Sequence, residues 1–273
     1  MPDGPQSATL SVQRWNGNHL EAPTGDSFAT EEPLEIRVRG HSIAVTMRTP
    51  GHDNELAAGF LAAEGLINKH DNIIEIAYCT EGEAARLKNI LNVFLAPNVK
   101  VDLESLTRHV FASSSCGLCG KATIEAVQQH HQPVETNLSV CINIITSLPS
   151  KLQAAQTTFK RTGGLHAAAA FDRNGEIVVL REDIGRHNAV DKVIGFGILK
   201  NFSLAECILL VSGRTSFEIM QKALAARIPI VAAISAPSNL AVEFARENGQ
   251  TLIGFLRGDT MNLYAHPERI LTN

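Results

Sequence analysis

The chain has 273 residues, 44% of them hydrophobic and 19% charged, with a formal net charge of −4. That length can bury one large core or two modest ones, and the acidic balance, with only His130-His131 and Arg37/Arg39 as basic spots, argues against a nucleic-acid surface. No apolar run approaches the ~20 residues of a membrane helix, and the opening Met1-Pro2-Asp3-Gly4-Pro5-Gln6 lacks the basic and apolar regions of a secretory leader, so no membrane partner and a cytoplasmic location are expected.

Residues 1–30 are rich in Gly, Pro, Asn and Ser without periodicity and read as a loosely ordered lead-in. Apolar and polar residues then alternate through Leu34-Glu35-Ile36-Arg37-Val38 and, past Gly40, through Ile43-Ala44-Val45-Thr46-Met47, which predicts a hairpin. Thr49-Pro50 offers an N-cap and a first-turn proline for a helix through Leu61. Ile73–Cys79 and Val93–Val101 read as further strands, so residues 31–110 are expected as an α+β subdomain.

Residues 111–145 hold a cysteine loop, a helix starting after Lys121 and a break at Gln132-Pro133. Thr146-Ser147-Leu148-Pro149 caps a helix towards Phe159. Leu165–Phe171 and Glu176–Arg181 flank Asp172-Arg173-Asn174-Gly175, and Asn-Gly there is a hairpin signal. Helices Asn188–Lys200, Ser216–Arg227 and Ser238–Asn248 then alternate with strands Cys207–Val211, Ile230–Ile234 and Thr251–Leu256. The middle strands are continuous apolar runs, as in a parallel sheet covered on both faces. Residues 146–273 are therefore expected as a three-layer α/β domain, and the whole chain as α/β with an α+β N-terminal part.

Two of the five cysteines lie three positions apart in Ser113-Ser114-Ser115-Cys116-Gly117-Leu118-Cys119-Gly120-Lys121. Small polar neighbours leave the sulfurs reachable, and a helix N-terminus together with Lys121 would favour a thiolate. Three chemistries suit such a pair. A closed zinc site needs two more ligands, but Cys141 and Cys207 have no close partners and His130-His131 lack the required spacing, so no structural metal is expected. A redox dithiol and a sulfur relay remain open. Cys79, Cys141 and Cys207 sit in apolar contexts and read as small core hydrophobes.

The C-terminal half offers a second constellation. Ser212-Gly213-Arg214-Thr215-Ser216, Ser235-Ala236-Pro237-Ser238 and Arg257-Gly258-Asp259-Thr260 each follow a predicted strand. Ligands of open α/β sheets collect at such strand ends, where helix N-termini favour anions, so three loops with two arginines suggest a phosphate or nucleotide cradle. The dense polar run Arg181-Glu182-Asp183-Ile184-Gly185-Arg186-His187-Asn188, with Asp191 and Lys192, fits a site or a solvated corner equally well. His166, among alanines after Gly163-Gly164-Leu165, reads as a satisfied core histidine.

Cys116-Gly117-Leu118-Cys119-Gly120-Lys121 resembles the signature loop of the FdhD sulfurtransferases, accessory proteins for formate dehydrogenase. Glu32-Pro33-Leu34, Thr49-Pro50, Gly59-Phe60-Leu61 and Glu64-Gly65 are similar to that family's N-terminal blocks. Thr162 to His166, Arg181 to Lys192, Ser212-Gly213-Arg214, Ser235-Ala236-Pro237 and Gly254-Phe255-Leu256-Arg257 match later ones in order. The resemblance implies that a cysteine desulfurase hands sulfur to the chain, which passes it to the molybdenum (or tungsten) bis-molybdopterin guanine dinucleotide cofactor destined for formate dehydrogenase. It implies a persulfide on Cys116 with Cys119 as its partner, and cofactor binding by Phe255, Leu256, Arg257, Gly258, Asp259 and Thr260. It also implies a homodimer and a C-terminal domain similar in fold to cytidine deaminases. Deaminase zinc chemistry is not implied, because Ala167 follows His166 where the catalytic Glu motif would continue and no Pro-Cys-x-x-Cys comes later. The rival readings are a dithiol oxidoreductase and a non-catalytic molybdenum-cofactor chaperone.

Overall fold

Alternation in the first third of the chain builds a four-stranded sheet. In the computed structural model, which describes residues 5–101 and 131–272, β3 (Glu32–Val38) and β4 (His41–Arg48) form the expected hairpin. Leu34, Ile36 and Val38 are buried at every second position, while Glu35 and Arg37 pair with each other on the opposite face. β6 (Ile90–Leu95) lies parallel to β3, and β5 (Ile73–Tyr78) antiparallel to β6. The strand expected over Val93–Val101 thus starts earlier and stops before Pro97, which has no amide for the ladder. The short helix α2 (Gly82–Leu87) links β5 to β6.

Two further departures concern the start of the chain. Residues 7–29, expected as a loose lead-in, form an exposed ribbon of β1 (Ser7–Val12) and β2 (Thr24–Ala29). Its polar strands hide the alternation that would have announced it. Helix α1 (Asp53–Ala63) begins four residues after the expected cap, because Gly51 and His52 take left-handed backbone angles (φ 103° and 61°). The Thr49 hydroxyl is committed elsewhere, donating to Thr30 O (2.9 Å) and accepting from Ile184 N (3.2 Å).

The second sheet has six strands in the order β13-β12-β11-β10-β8-β9. They are β8 (His166–Phe171), β9 (Ile177–Asp183), β10 (Ile208–Val211), β11 (Ile230–Ala233), β12 (Thr251–Arg257) and β13 (Thr260–Ala265). Among the β8 and β10–β13 pairings, only β10–β11 and β11–β12 are parallel. The sheet is therefore mixed rather than parallel, because hairpins at residues 172–175 and 258–259 return the chain on both flanks. Ile208, Leu210, Ile230 and Ala232 face one side, where α3 (Ile142–Ala155) packs. Leu209, Val211, Val231 and Ala233 face the other, under α5 (Arg186–Leu199), α6 (Phe217–Ala225) and α7 (Asn239–Glu247). This is the expected helix–sheet–helix layering. The short strands β7 (Val140–Cys141) and β14 (Ile270–Leu271) pair beside it.

Helix α3 does not begin at Thr146. It runs through Ser147 and Pro149, with the Ser147 hydroxyl folded back onto Ile144 O (2.7 Å). Ile145, Leu148 and Leu152 share one wholly buried face, and that apolar stripe outweighs the local capping signal. After Gln156 the chain turns into α4 (Thr157–Thr162).

The two sheets share one core, in which Leu34, Leu61 and Leu91 join Val190, Leu209 and Val231. At its centre α1 crosses α5 backbone to backbone: a Cβ built on Gly59 would sit 1.8 Å from Asp191 O, and one on Gly195 would sit 1.8 Å from Glu55 O. The polar run from Arg181 to Lys192 proves to be largely the seam beside this crossing. Lys192 Nζ meets Asp183 Oδ2 at 2.7 Å, both side chains fully buried, and donates to Thr49 O (2.9 Å). Asp183 also accepts from Thr49 N, Gly185 N and Asn188 Nδ2 (3.2, 2.9 and 3.0 Å). Arg181 is clamped to Glu55 on α1 (Nη2–Oε1 2.7 Å).

Gly195→Ala should destabilise the fold by about 1–3 kcal/mol, since the added methyl meets main chain rather than a movable side chain. Thermal unfolding should show the melting temperature lowered by about 2–4 °C for each kcal/mol; an unchanged midpoint would refute the close crossing.

Candidate functional site

The carboxyl ends of β10, β11 and β12 share one edge of the sheet, and loop backbones there are laced together. Thr215 N donates to Ala236 O (3.2 Å), Ser238 N to Thr215 O (3.0 Å) and Phe255 N to Ser235 O (3.1 Å). Because β8 runs antiparallel to β10, its first residue His166 and the preceding Gly163-Gly164-Leu165 reach the same edge. The Ser212 hydroxyl accepts from Ala167 N (2.9 Å) and fixes that junction. β9 also ends here, leading through Ile184 into α5.

A cavity of about 860 Å³ opens at this edge, within the ~300–1,000 Å³ of small-molecule sites. Its sheet side is made by His166, Ile184, Ser212, Ile234, Leu256, Arg257 and Gly258. Pro149 and Gln153 of α3, Gln156, Phe159 of α4 and the Gly163-Gly164 pair form the facing wall. The lining combines apolar side chains with neutral polar groups and one guanidinium, which suits a heteroaromatic group carrying negative charge.

The predicted cradle is only partly realised. Arg257 and Gly258 line the cavity, while Arg214, Pro237 and Ser238 do not. Ser216 and Ser238 turn their hydroxyls inward as N-caps, accepting from Ile219 N and Ala241 N (3.5 and 3.2 Å). The third loop leads to no helix: residues 257–260 are the turn of the β12–β13 hairpin, with Gly258 at φ 53°. The start of α4 is likewise occupied, since Glu182 accepts from Thr158 N and Phe159 N (3.0 and 2.7 Å).

Within the segment expected to bind cofactor, roles divide. Phe255 is exposed on a bulge at φ 52° and is stacked under the Arg257 guanidinium (5.9 Å). Leu256 is fully buried and anchors the bulge in the core shared with α3. Arg257 Nε donates to Ile234 O (3.1 Å), which aims an exposed cation along the cavity rim. Thr260 Oγ1 donates to Arg257 O (3.0 Å) and closes the turn, and Asp259 is exposed at its tip. Phe255, Asp259 and Thr260 do not line the cavity.

Cys116 and Cys119 lie outside the described residues. Of the other cysteines, Cys207 is buried and its thiol is pushed up to about 11 by burial and then by Asp172 and Glu206. It therefore matches the expected inert core thiol, whereas Cys79 and Cys141 are half-buried.

His166, read from sequence as a core histidine, stands half-buried in the cavity wall. Burial and the Arg186 charge push its imidazole below the usual range, against a weaker pull from Asp183, so it is neutral at pH 7. The Gly-Gly pair before it was the available signal; Gln153, Gln156 and Phe159 gave none, because surface and site glutamines look alike in a helical pattern.

A mixed sheet with covered faces and a cavity at its carboxyl edge defines an α/β protein with an open sheet-edge cavity. The model of the FdhD/NarQ family matches residues 29–271, and the chain belongs to that family. Proteins called sulfur carrier protein FdhD in Mycobacterium tuberculosis and Mycobacterium bovis are each 50% identical over 253 residues, spanning 90% of this chain and 92% of theirs. That of Streptomyces avermitilis is 49% identical over 251 residues, 90% and 89% of the two chains. A solved structure described as a formate dehydrogenase accessory protein from Desulfotalea psychrophila superposes with a TM-score of 0.80 at 24% identity, over 98% of this chain and 100% of that one. It shares the fold.

Behind the cavity His187 is buried, with Nε2 near Ser216 Oγ (3.3 Å) and Glu218 Oε2 (3.2 Å). Burial, then Lys222, Arg186 and His166, lower its pKa to about 3. Between the unfolded value near 6.5 and about 3 the unfolded chain binds a proton that the folded chain refuses, so stability falls as pH falls through this window. Urea titrations at pH 7, 6 and 5 should show His187→Gln losing up to about 1.4 kcal/mol per pH unit less than the parent chain; parallel losses would refute a neutral buried His187.

Proposed function

We propose that this chain is a cytoplasmic sulfur carrier serving formate dehydrogenase. The observation that carries this reading is half-identity, across nine-tenths of the chain, to relatives called sulfur carrier protein. The Cys-x-x-Cys loop supplies the sulfur chemistry, and the cavity at the sheet edge supplies a place for an acceptor.

In the proposed cycle a cysteine desulfurase presents a persulfide. The Cys116 thiolate attacks its terminal sulfur, the donor S–S bond breaks, and the desulfurase thiolate leaves. Cys116 then carries the persulfide, with no net oxidation or reduction. Attack of the Cys119 thiolate on Cys116 Sγ would release the outer sulfur as hydrosulfide and leave a Cys116–Cys119 disulfide, which a cellular dithiol resets. The released sulfur goes to the metal of a bis-molybdopterin guanine dinucleotide, which is substrate here and not a resident group.

A guanine dinucleotide brings a flat polar base and a diphosphate. Gln153, Gln156 and Ser212 on the cavity walls offer amide and hydroxyl groups for the base, and Arg257 offers a rim charge for the phosphates. Phe255 supports that charge through its ring. Thr260 serves this segment by holding the turn. A homodimer accords with the family reading.

Incubation with a desulfurase and cysteine should add one sulfur atom to Cys116, detected by peptide mass spectrometry. Cys116→Ala should abolish the adduct and the activation of formate dehydrogenase. Normal sulfur delivery by that variant would overturn the carrier reading. Maturation surviving alanine at both cysteines would favour a cofactor chaperone, and cofactor-independent disulfide reduction a dithiol oxidoreductase. Arg257→Ala should weaken guanosine diphosphate binding about tenfold, the weight of one charge-assisted contact; calorimetry showing equal affinity would move the site away from this rim.

A further inference from the structure

We propose that Gln156, at the junction of α3 and α4, is the residue that reads the base in the cavity, its carboxamide pairing with the lactam edge of guanine, the N1–H and O6. The assignment rests on reading the cavity as a guanine-dinucleotide site and narrows that reading to one side chain.

A glutamine taken out of water is almost always held by hydrogen bonds, because a bare amide forfeits its hydration without return. Gln156 is 5% exposed and lines the cavity, yet its carboxamide has no hydrogen-bond partner among the described residues. Nor is that amide sealed inside the protein, as Gln250 Oε1 is; it faces the open volume. Gln250 is at least anchored through its Nε2 to Ile228 O (3.0 Å). Gln156 has no such anchor.

The main chain holds this residue from both sides. Gln156 N donates to Leu152 O of α3 (3.1 Å), and Gln156 O accepts from Lys160 N of α4 (3.3 Å). A ψ of 87° ends one helix and starts the next, and the side chain does not cap α4. Glu182 already takes Thr158 N and Phe159 N, so the helix start asks nothing of Gln156. A polar side chain fixed by its backbone and free of local duty is preorganised for a ligand.

The neighbouring polar groups are differently placed. The Ser212 hydroxyl is engaged by Ala167 N, and Gln153 is exposed, where water satisfies it. A carboxamide presents a donor beside an acceptor, and only an edge with the reverse order meets both. A lactam has that edge, whereas a phosphate offers acceptors alone. The ligand group facing Gln156 is therefore the ring and not the diphosphate, which is left to Arg257 at the rim.

Calorimetry on the full chain compares guanosine diphosphate with its N1-methyl derivative, which keeps the phosphates and O6 but loses the N1 proton. The parent should bind the methylated nucleotide at least about tenfold more weakly. Gln156→Met, of similar size with no hydrogen bond to offer, should lose at least about tenfold for guanosine diphosphate and no longer tell the two nucleotides apart. Without ligand it should melt as high as the parent or higher, since a buried bare amide is removed. A melting point lower by more than about 4 °C would mean that the amide serves the fold, and would overturn the assignment. Gln156→Ala carries the same nucleotide comparison if the methionine variant fails to fold. Neopterin has the same lactam on a pterin ring, and a loss of affinity confined to neopterin would overturn the guanine assignment. Equal affinity of the parent for both nucleotides, or a preference that survives in the variants, overturns the role of Gln156 and leaves the nucleotide reading intact. No binding of guanosine diphosphate by the parent overturns both.

Discussion

The buried pair of Asp183 and Lys192 is the constraint around which the rest is arranged. Two charges taken fully out of water are tolerable only when every lone pair and proton finds a partner. Here the carboxylate takes three further donors from Thr49, Gly185 and Asn188, and the ammonium takes the Thr49 carbonyl. These partners belong to the turn before α1, the end of β9 and the first turns of α5. One polar knot therefore fixes the angle at which β9 hands over to α5, and with it the position of Ile184 at the cavity.

The knot also explains a division of labour among charged residues. Arg181, Glu182, Asp183, Asn188 and Lys192 are spent on structure: an inter-helical clamp, a cap for α4 and the seam. A second buried pair, Lys222 with Asp191, lies behind the same helix at 2.8 Å.

The strands and helices with clean periodicity were legible in the residues alone. β3, β4 and α5–α7 fell within a few positions of expectation, because burial at period two or period 3.6 leaves a strong pattern. What stayed hidden was long-range. Thr49-Pro50 looked like a cap because nothing nearby says that the Thr49 hydroxyl is needed by Thr30 and Ile184. Ser147-Leu148-Pro149 looked like a start because one local signal was weighed without the buried stripe on either side. In the site, the serine loops lie at the strand ends and Ser212 lines the cavity, but Ser216 and Ser238 turn away, since a serine after a strand can cap its own helix as readily as face a ligand. His166 was undervalued because only the antiparallel course of β8 brings its beginning to the edge where its neighbours end.

The crossing of α1 and α5 at Gly59 and Gly195 has a bearing on how the protein can move. Where helices meet through side chains, rotamer changes let them slide by small steps. Here main chain touches main chain, flanked by a fully satisfied ionic seam, so there is no intermediate packing to slide into. The two sheets must travel as one rigid block. Among the described residues, the loops along the sheet edge, including the β12–β13 tip carrying Arg257, lie outside that block. The block is built as an anvil, and not as a pair of jaws.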